Sequence, residues 1–152
     1  MRSSSILRAA FAAALALTPA LTACVDDVDT SEEDLRTLLT ANPNPVDLGV
    51  IPGGGSASVR VVLTNHASTD LDISRIDLLP PGPCLPPGPC VPATACDVSL
   101  LAPCVRPGGT TIMTVTCTPP GGGRIDLESQ IHYSTPSGYV GELDVPVTGT
   151  AR

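Results

Sequence analysis

The chain contains no lysine and no tryptophan, and its aromatics are two tyrosines and one phenylalanine among 152 residues. Nucleic-acid binding needs a track of cations, and stacking on bases or sugars needs aromatic faces. Eight arginines against fifteen acidic residues leave a net charge of −7. Such a field attracts neither nucleic acid nor a bare anionic membrane. Catalytic signatures are also missing. His66 falls in an Asn-His-Ala-Ser turn and reads as solvated, while His132 projects to the face opposite Ile131 and Tyr133. Neither histidine belongs to a Gly-x-Ser-x-Gly elbow or an H-E-x-x-H pair. Gly53-Gly54-Gly55 and Gly121-Gly122-Gly123 lack the Lys-Ser/Thr of a phosphate loop and read as turns. Asp70 and Asp72 alternate at a strand start and read as solvated. The expectation is a protein that is not an enzyme and has no cofactor, no metal and no small-molecule substrate.

The N-terminus reads as an address. Arg2 and Arg8 flank an apolar run from Ile6 to Leu17, broken by Thr18-Pro19-Ala20. This is the build of a secretory signal and is too short to span a bilayer. It ends Leu21-Thr22-Ala23-Cys24, which resembles the lipobox of bacterial lipoproteins at every position. The resemblance implies removal of residues 1–23, diacylation of the Cys24 sulfur and acylation of the new N-terminus. The mature chain would be 129 residues, with six arginines against fifteen acids, a net of −9. Its partner would be membrane lipid through Cys24. The expected location is the outer membrane, on the periplasmic leaflet or the cell surface.

Residues 24–44 read as an acidic linker. Val25 to Asn44 carries six acidic residues against Arg36, and a charged spacer repels itself and extends. Ser31 and Asp34 fit the cap of a short helix carrying Leu35, Leu38 and Leu39, stopped by Asn42-Pro43-Asn44-Pro45. Asp26-Asp27-Val28-Asp29 lacks the Gly turn and downstream Glu of a calcium loop.

From residue 45 to residue 152 apolar residues recur with period two, the mark of half-buried strands. Val46–Ile51, Ala57–Leu63, Leu71–Ile73 with Ile76–Leu78, Cys96–Leu100, Met113–Cys117, Leu127–Tyr133 and Leu143–Val147 alternate between Gly/Pro turns. A one-residue slip at Ser74-Arg75 suggests a bulge. The expected fold is all-β: a seven-stranded antiparallel immunoglobulin-like β-sandwich following the signal peptide and tether.

Several short motifs in order resemble the ASH/Hydin-type immunoglobulin-like domains found in choice-of-anchor D proteins. They are Asn44-Pro45-Val46-Asp47-Leu48-Gly49-Val50, then Val59 to Asn65, then Val105-Arg106-Pro107-Gly108, Val115 to Pro119, and Val145-Pro146-Val147-Thr148-Gly149. The resemblance implies an adhesive, scaffolding or appended module without catalytic residues. The chain departs from that pattern in its Pro/Cys insertion and in cysteines at bulky apolar positions.

The insertion repeats one phrase, Pro80-Pro81-Gly82-Pro83-Cys84 and Pro86-Pro87-Gly88-Pro89-Cys90. The gaps between Cys84, Cys90, Cys96, Cys104 and Cys117 are five, five, seven and twelve residues. Zinc sites and thioredoxin-like pairs use tighter spacing, and an exported domain favours disulfides. If Cys96–Leu101 and Thr111–Cys117 pair around the Pro107-Gly108 turn, Leu100 faces Met113, Val98 faces Val115 and Cys96 faces Cys117. All six then share one face. A Cys96–Cys117 disulfide is therefore expected. Cys84 with Cys90 is the next expected pair, leaving Cys104 unpaired or used between chains. The whole reads as a membrane-anchored lipoprotein whose non-catalytic domain serves as a structural or protein-binding module for an envelope partner. Two alternatives stand: a small metal-binding or redox protein using the loop cysteines, and an assembly accessory that offers a strand edge.

Overall fold

The period-two segments fold as strands in a computed structural model that describes residues 38–80 and 88–152. They are β1 Leu39–Asn42, β2 Val46–Ile51, β3 Ala57–Asn65, β4 Leu71–Leu79, β5 Cys96–Leu100, β6 Cys104–Val105, β7 Thr110–Cys117, β8 Gly123–Ser134 and β9 Val140–Ala151. A 3-10 turn, Ala93–Ala95, precedes β5. Cys24, Cys84, the leader and most of the acidic segment lie outside the described residues.

Sheet I has the order β1-β3-β7-β5 and sheet II the order β2-β9-β8-β4-β6. Apolar side chains on the inner faces close the core. Val61 and Leu63 of β3 and Met113, Val115 and Cys117 of β7 are fully buried. Sheet II answers with Ile125, Leu127, Ile131 and Tyr133 of β8 and with Val145 and Val147 of β9. Burying each large aliphatic contributes ~1.5–3 kcal/mol, so this double layer is the main driving force of the fold. The backbone of sheet II is organised by β8 and β9, which pair without interruption from Gly123↔Ala151 to Ser134↔Val140.

Three expectations are corrected. The strands exceed seven, because two short ones escape a periodicity window. β1 lies in the segment read as linker and helix: Leu38 and Leu39 are buried, and β1 pairs antiparallel with β3. The i, i+3, i+4 spacing that suggested a helix is overridden here because β3 supplies these four residues with a ladder. Second, the sandwich is not wholly antiparallel, since β2 runs parallel to β9. Pro43 and Pro45, which have no N–H to give a ladder, carry the chain from sheet I across to sheet II. Third, β5 and β7 are not joined by a simple hairpin. The chain leaves sheet I after β5, adds β6 to β4 in sheet II and returns as β7.

Both irregularities in the ladders have local causes. Ile73 to Arg75 spans two residues while the partner moves only from Tyr133 to His132, so the bulge expected at Ser74-Arg75 is present. In β2 the register slips between Asp47 and Val50. There Gly49 takes a φ of 65°, and its N–H donates to Asp47 Oδ1 at 2.8 Å. The left-handed region suits glycine, and the Asx-type bond holds the bulge.

Candidate functional site

Cys96 and Cys117 form a disulfide with a Cα–Cα distance of 4.0 Å across a loop of 21 residues. The pairing follows the register expected from alternation: Leu100↔Met113, Val98↔Val115 and Cys96↔Cys117. The bridge sits on the inner face, with Cys117 fully buried and Cys96 half-buried at the rim. It pins β5, an edge strand, to the centre of sheet I.

Cys104 is disulfide-bonded, which corrects its assignment as the unpaired cysteine. It stands in β6 opposite Asp72 and half-buried, in sheet II, rather than at the end of a β5–β7 hairpin. Cys90 is also disulfide-bonded. The pairing expected for Cys84 with Cys90, and the lipidation expected at Cys24, involve residues outside the described set. The returning end of the Pro/Cys stretch is anchored on β8. Cys90 bridges to Arg124, the Val91 N–H donates to the Arg124 carbonyl at 2.9 Å, and the Arg124 N–H donates to the Pro89 carbonyl at 3.0 Å. This segment occupies the side of β8 beyond the point where β4 ends opposite Glu128.

Asn65 organises the turn end of the sandwich. Its side chain is wholly buried. Nδ2 donates to the Thr69 carbonyl and to the Val105 carbonyl, both at 2.8 Å, and Oδ1 accepts from the Ala67 N–H at 2.7 Å. Its backbone N–H and carbonyl engage Gly109 and Gly108 at 3.0 Å. One amide thus ties β3, the following turn, β6 and the turn before β7. Thr111 acts similarly: its buried hydroxyl accepts from Ala102 N–H at 3.1 Å and donates to the Ala102 carbonyl at 2.9 Å.

Ser129 is buried too, its hydroxyl donating to Met113 Sδ at 3.8 Å, whereas the histidines and charged groups below lie on outer faces or turns. His66 is exposed, and its Nε2 lies 2.8 Å from Thr40 Oγ1. His132 faces outward as alternation requires, within 3.3 Å of Asp77 and 3.5 Å of Glu142. Arg75 reaches the same Asp77 at 2.7 Å. Glu128, opposite Pro146 on β9, has its carboxyl held above the usual value, chiefly by the charge of Asp144. Partial desolvation, a hydrogen bond to Asp144 and the charge of Glu142 add to it. An open depression of about 450 Å³ lies at the β2 bulge, lined in part by Asp47, Gly49, Val50 and Thr148. Arg124, on its wall, is tied to Asp126 at 2.8 Å.

Alternation alone did not reveal the pairing of Tyr133 with Gly141. They are directly opposed in β8 and β9, and the tyrosine ring covers the space where a Cβ at position 141 would stand. Burial, with Tyr139 nearby, pushes the Tyr133 phenol above its ordinary value. The signal was present as a lone glycine inside a strand pattern.

Among the described residues, β5 is a regular open edge of the sandwich. Cys96–Cys117 is a close, non-hydrogen-bonded pair, so the backbone groups of Asp97 and Ser99 point to β7. Those of Val98 and Leu100 point away from it, where sheet I has no further strand among the described residues. The other edges are blunted: β1 is four residues long, β6 two, and β2 is bulged.

No family model matches this chain, and no curated protein does. Solved structures do. The ASH/PapD-like domain 7 of human CEP192 superimposes with a TM-score of 0.62 at 13% identity, over 86% of this chain and 96% of that one. The fold is ASH/PapD-like. SSP-19, an MSP-domain protein like family member of Caenorhabditis elegans, matches with a TM-score of 0.52 at 14% identity, over 74% of this chain and 99% of that one. The VesB protease of Vibrio cholerae gives 0.52 at 15% identity, over 75% of this chain but only 32% of its own length. At such identities the shared property is the immunoglobulin-like architecture, which by itself carries no activity.

Proposed function

We propose that this protein is a lipid-anchored, non-catalytic envelope module whose sandwich holds a protein partner. The observation that carries the reading is the open β5 edge: a regular strand, pinned by a disulfide, whose outward backbone groups are available for strand addition. The immunoglobulin-like fold and the Leu21-Thr22-Ala23-Cys24 sequence support it. A metal-carrying role for the loop cysteines loses support, because Cys90, Cys96, Cys104 and Cys117 are in disulfides rather than available as thiolate ligands.

Two measurements test the reading. Metabolic labelling with palmitate should mark the wild-type chain and not Cys24→Ser; an unlabelled wild type sinks the anchor. The oxidised protein, immobilised and probed with detergent-solubilised envelope, should retain a partner that Val98→Pro releases. Retention unchanged by that substitution removes β5 from the reading. The assembly-accessory version rests on the same edge and requires, in addition, that an extended peptide bind along β5.

A further inference from the structure

The charges of this molecule are segregated by sheet. The strands of sheet II hold seven acidic residues against Arg75 and Arg124, a net of −5. Both arginines there are tied to neighbouring aspartates. The strands of sheet I hold only Arg60 and Asp97, a net of zero. Neither of these two forms an ion pair among the described residues. The outer face of sheet I is otherwise hydroxyl and β-branched, and an apolar row crosses it. Val62 pairs with Ile112, and Leu101 continues the β5 register with its N–H donating to the Ile112 carbonyl at 2.9 Å. Val62 is 38% exposed and Leu101 76%. On one side of this row lie Arg60–Thr114–Ser99 and then Ser58–Thr116–Asp97.

We propose that this face is a homotypic interface, and that its occupant is a second copy of this chain. Two such acidic molecules repel where the −5 strands of sheet II face one another. Contact through the neutral strands of sheet I adds no such local repulsion. The face is also self-complementary under a two-fold axis along β7, which exchanges the strands flanking it. Leu101 of one copy then lies over Val62 of the other, and Ile112 meets Ile112. Arg60 lies over Ser99, one same-face step of about 7 Å from Asp97, so each unpaired arginine reaches the unpaired aspartate of the second copy. An isologous contact needs this reciprocity. A two-fold along β7 overlays β3, β7 and β5, whose residues each cover about 4.8 by 3.4 Å and together offer roughly 360 Å² per copy. The total of roughly 700 Å² lies below the size of stable specific interfaces and implies a weak, reversible dimer.

Sedimentation equilibrium of the whole chain, from micromolar to millimolar, tests this, with a non-reducing gel to exclude interchain disulfides. The expected result is a reversible dimer. Leu101→Glu should weaken it at least about tenfold, since it buries a charge against Val62. Arg60→Asp and Asp97→Arg should each weaken it, and the double swap should restore it. Asp144→Ala, on sheet II, should not. Circular dichroism verifies the fold of these surface variants. A monomer at every concentration, a dimer indifferent to the sheet I substitutions, or a double swap that fails to recover overturns the proposal. Loss of binding to a different molecule in Leu101→Glu, with no dimer in the wild type, assigns the face to that molecule and likewise overturns it.

Discussion

Replacing Asn65 with alanine tests whether one amide holds the turn end of the sandwich. The substitution strips partners from the Ala67 N–H, the Thr69 carbonyl and the Val105 carbonyl. The hydrogen bonds to Ala67 and Val105 are buried, so water cannot replace the lost partners freely. A buried donor or acceptor left unsatisfied costs ~1–3 kcal/mol, which puts the loss at roughly 3 kcal/mol for these two groups. That is a large share of the 5–15 kcal/mol typical of a domain. With a urea slope of about 2 kcal/mol/M, the midpoint should fall by about 1.5 M at unchanged slope. Asn65→Asp should be worse. It keeps an oxygen for the Ala67 N–H but turns a second oxygen toward two carbonyls, where Nδ2 had donated. Amide exchange should report the damage locally, with β6 losing protection before β8 and β9. A loss under about 1 kcal/mol for Asn65→Ala, or an aspartate tolerated as well as the wild type, refutes the assignment.

Three further outcomes are expected. The double substitution Cys96→Ala with Cys117→Ala opens a loop of 21 residues and should cost ~3 kcal/mol by chain entropy, read by thermal or urea unfolding under oxidising conditions; an unchanged midpoint contradicts the pinning role. Gly141→Ala should cost ~1–3 kcal/mol because its Cβ enters the space of the Tyr133 ring, and Gly141→Ala in a Tyr133→Leu background should cost measurably less; equal costs in both backgrounds remove the ring as the cause. Glu128 binds its proton more tightly in the folded state, so its contribution favours folding below the unfolded carboxyl value and is lost as pH rises through the folded one. Glu128→Gln should therefore raise stability at neutral pH and flatten the pH profile on its alkaline side; a destabilised glutamine variant at neutral pH shows that Asp144 and Glu142 do not oppose that charge.

Much of the sandwich is written in period two. Alternation through Val98, Met113 and Val115 assigned those side chains to one face, and the disulfide partners followed from the register that places Cys96 opposite Cys117. The Ser74 bulge and the outward aim of His132 were legible for the same reason: in a strand, side-chain direction is a local property. The surrounding topology was not local. Leu39–Asn42 is too short to carry a periodic signal and becomes a strand because β3 offers it a ladder. Cys104 resembled the end of a hairpin, but β6 crosses to sheet II, where Asn65 and Asp72 of distant segments receive it. Net charge was readable as a sum; its division into a neutral sheet and an acidic one was not. What the sequence by itself determined is which residues face inward along each strand, because pleating is imposed by the backbone. Which strands become neighbours, and therefore which charges share a face, was decided only by the tertiary structure, because pairing depends on contacts between residues far apart in the chain.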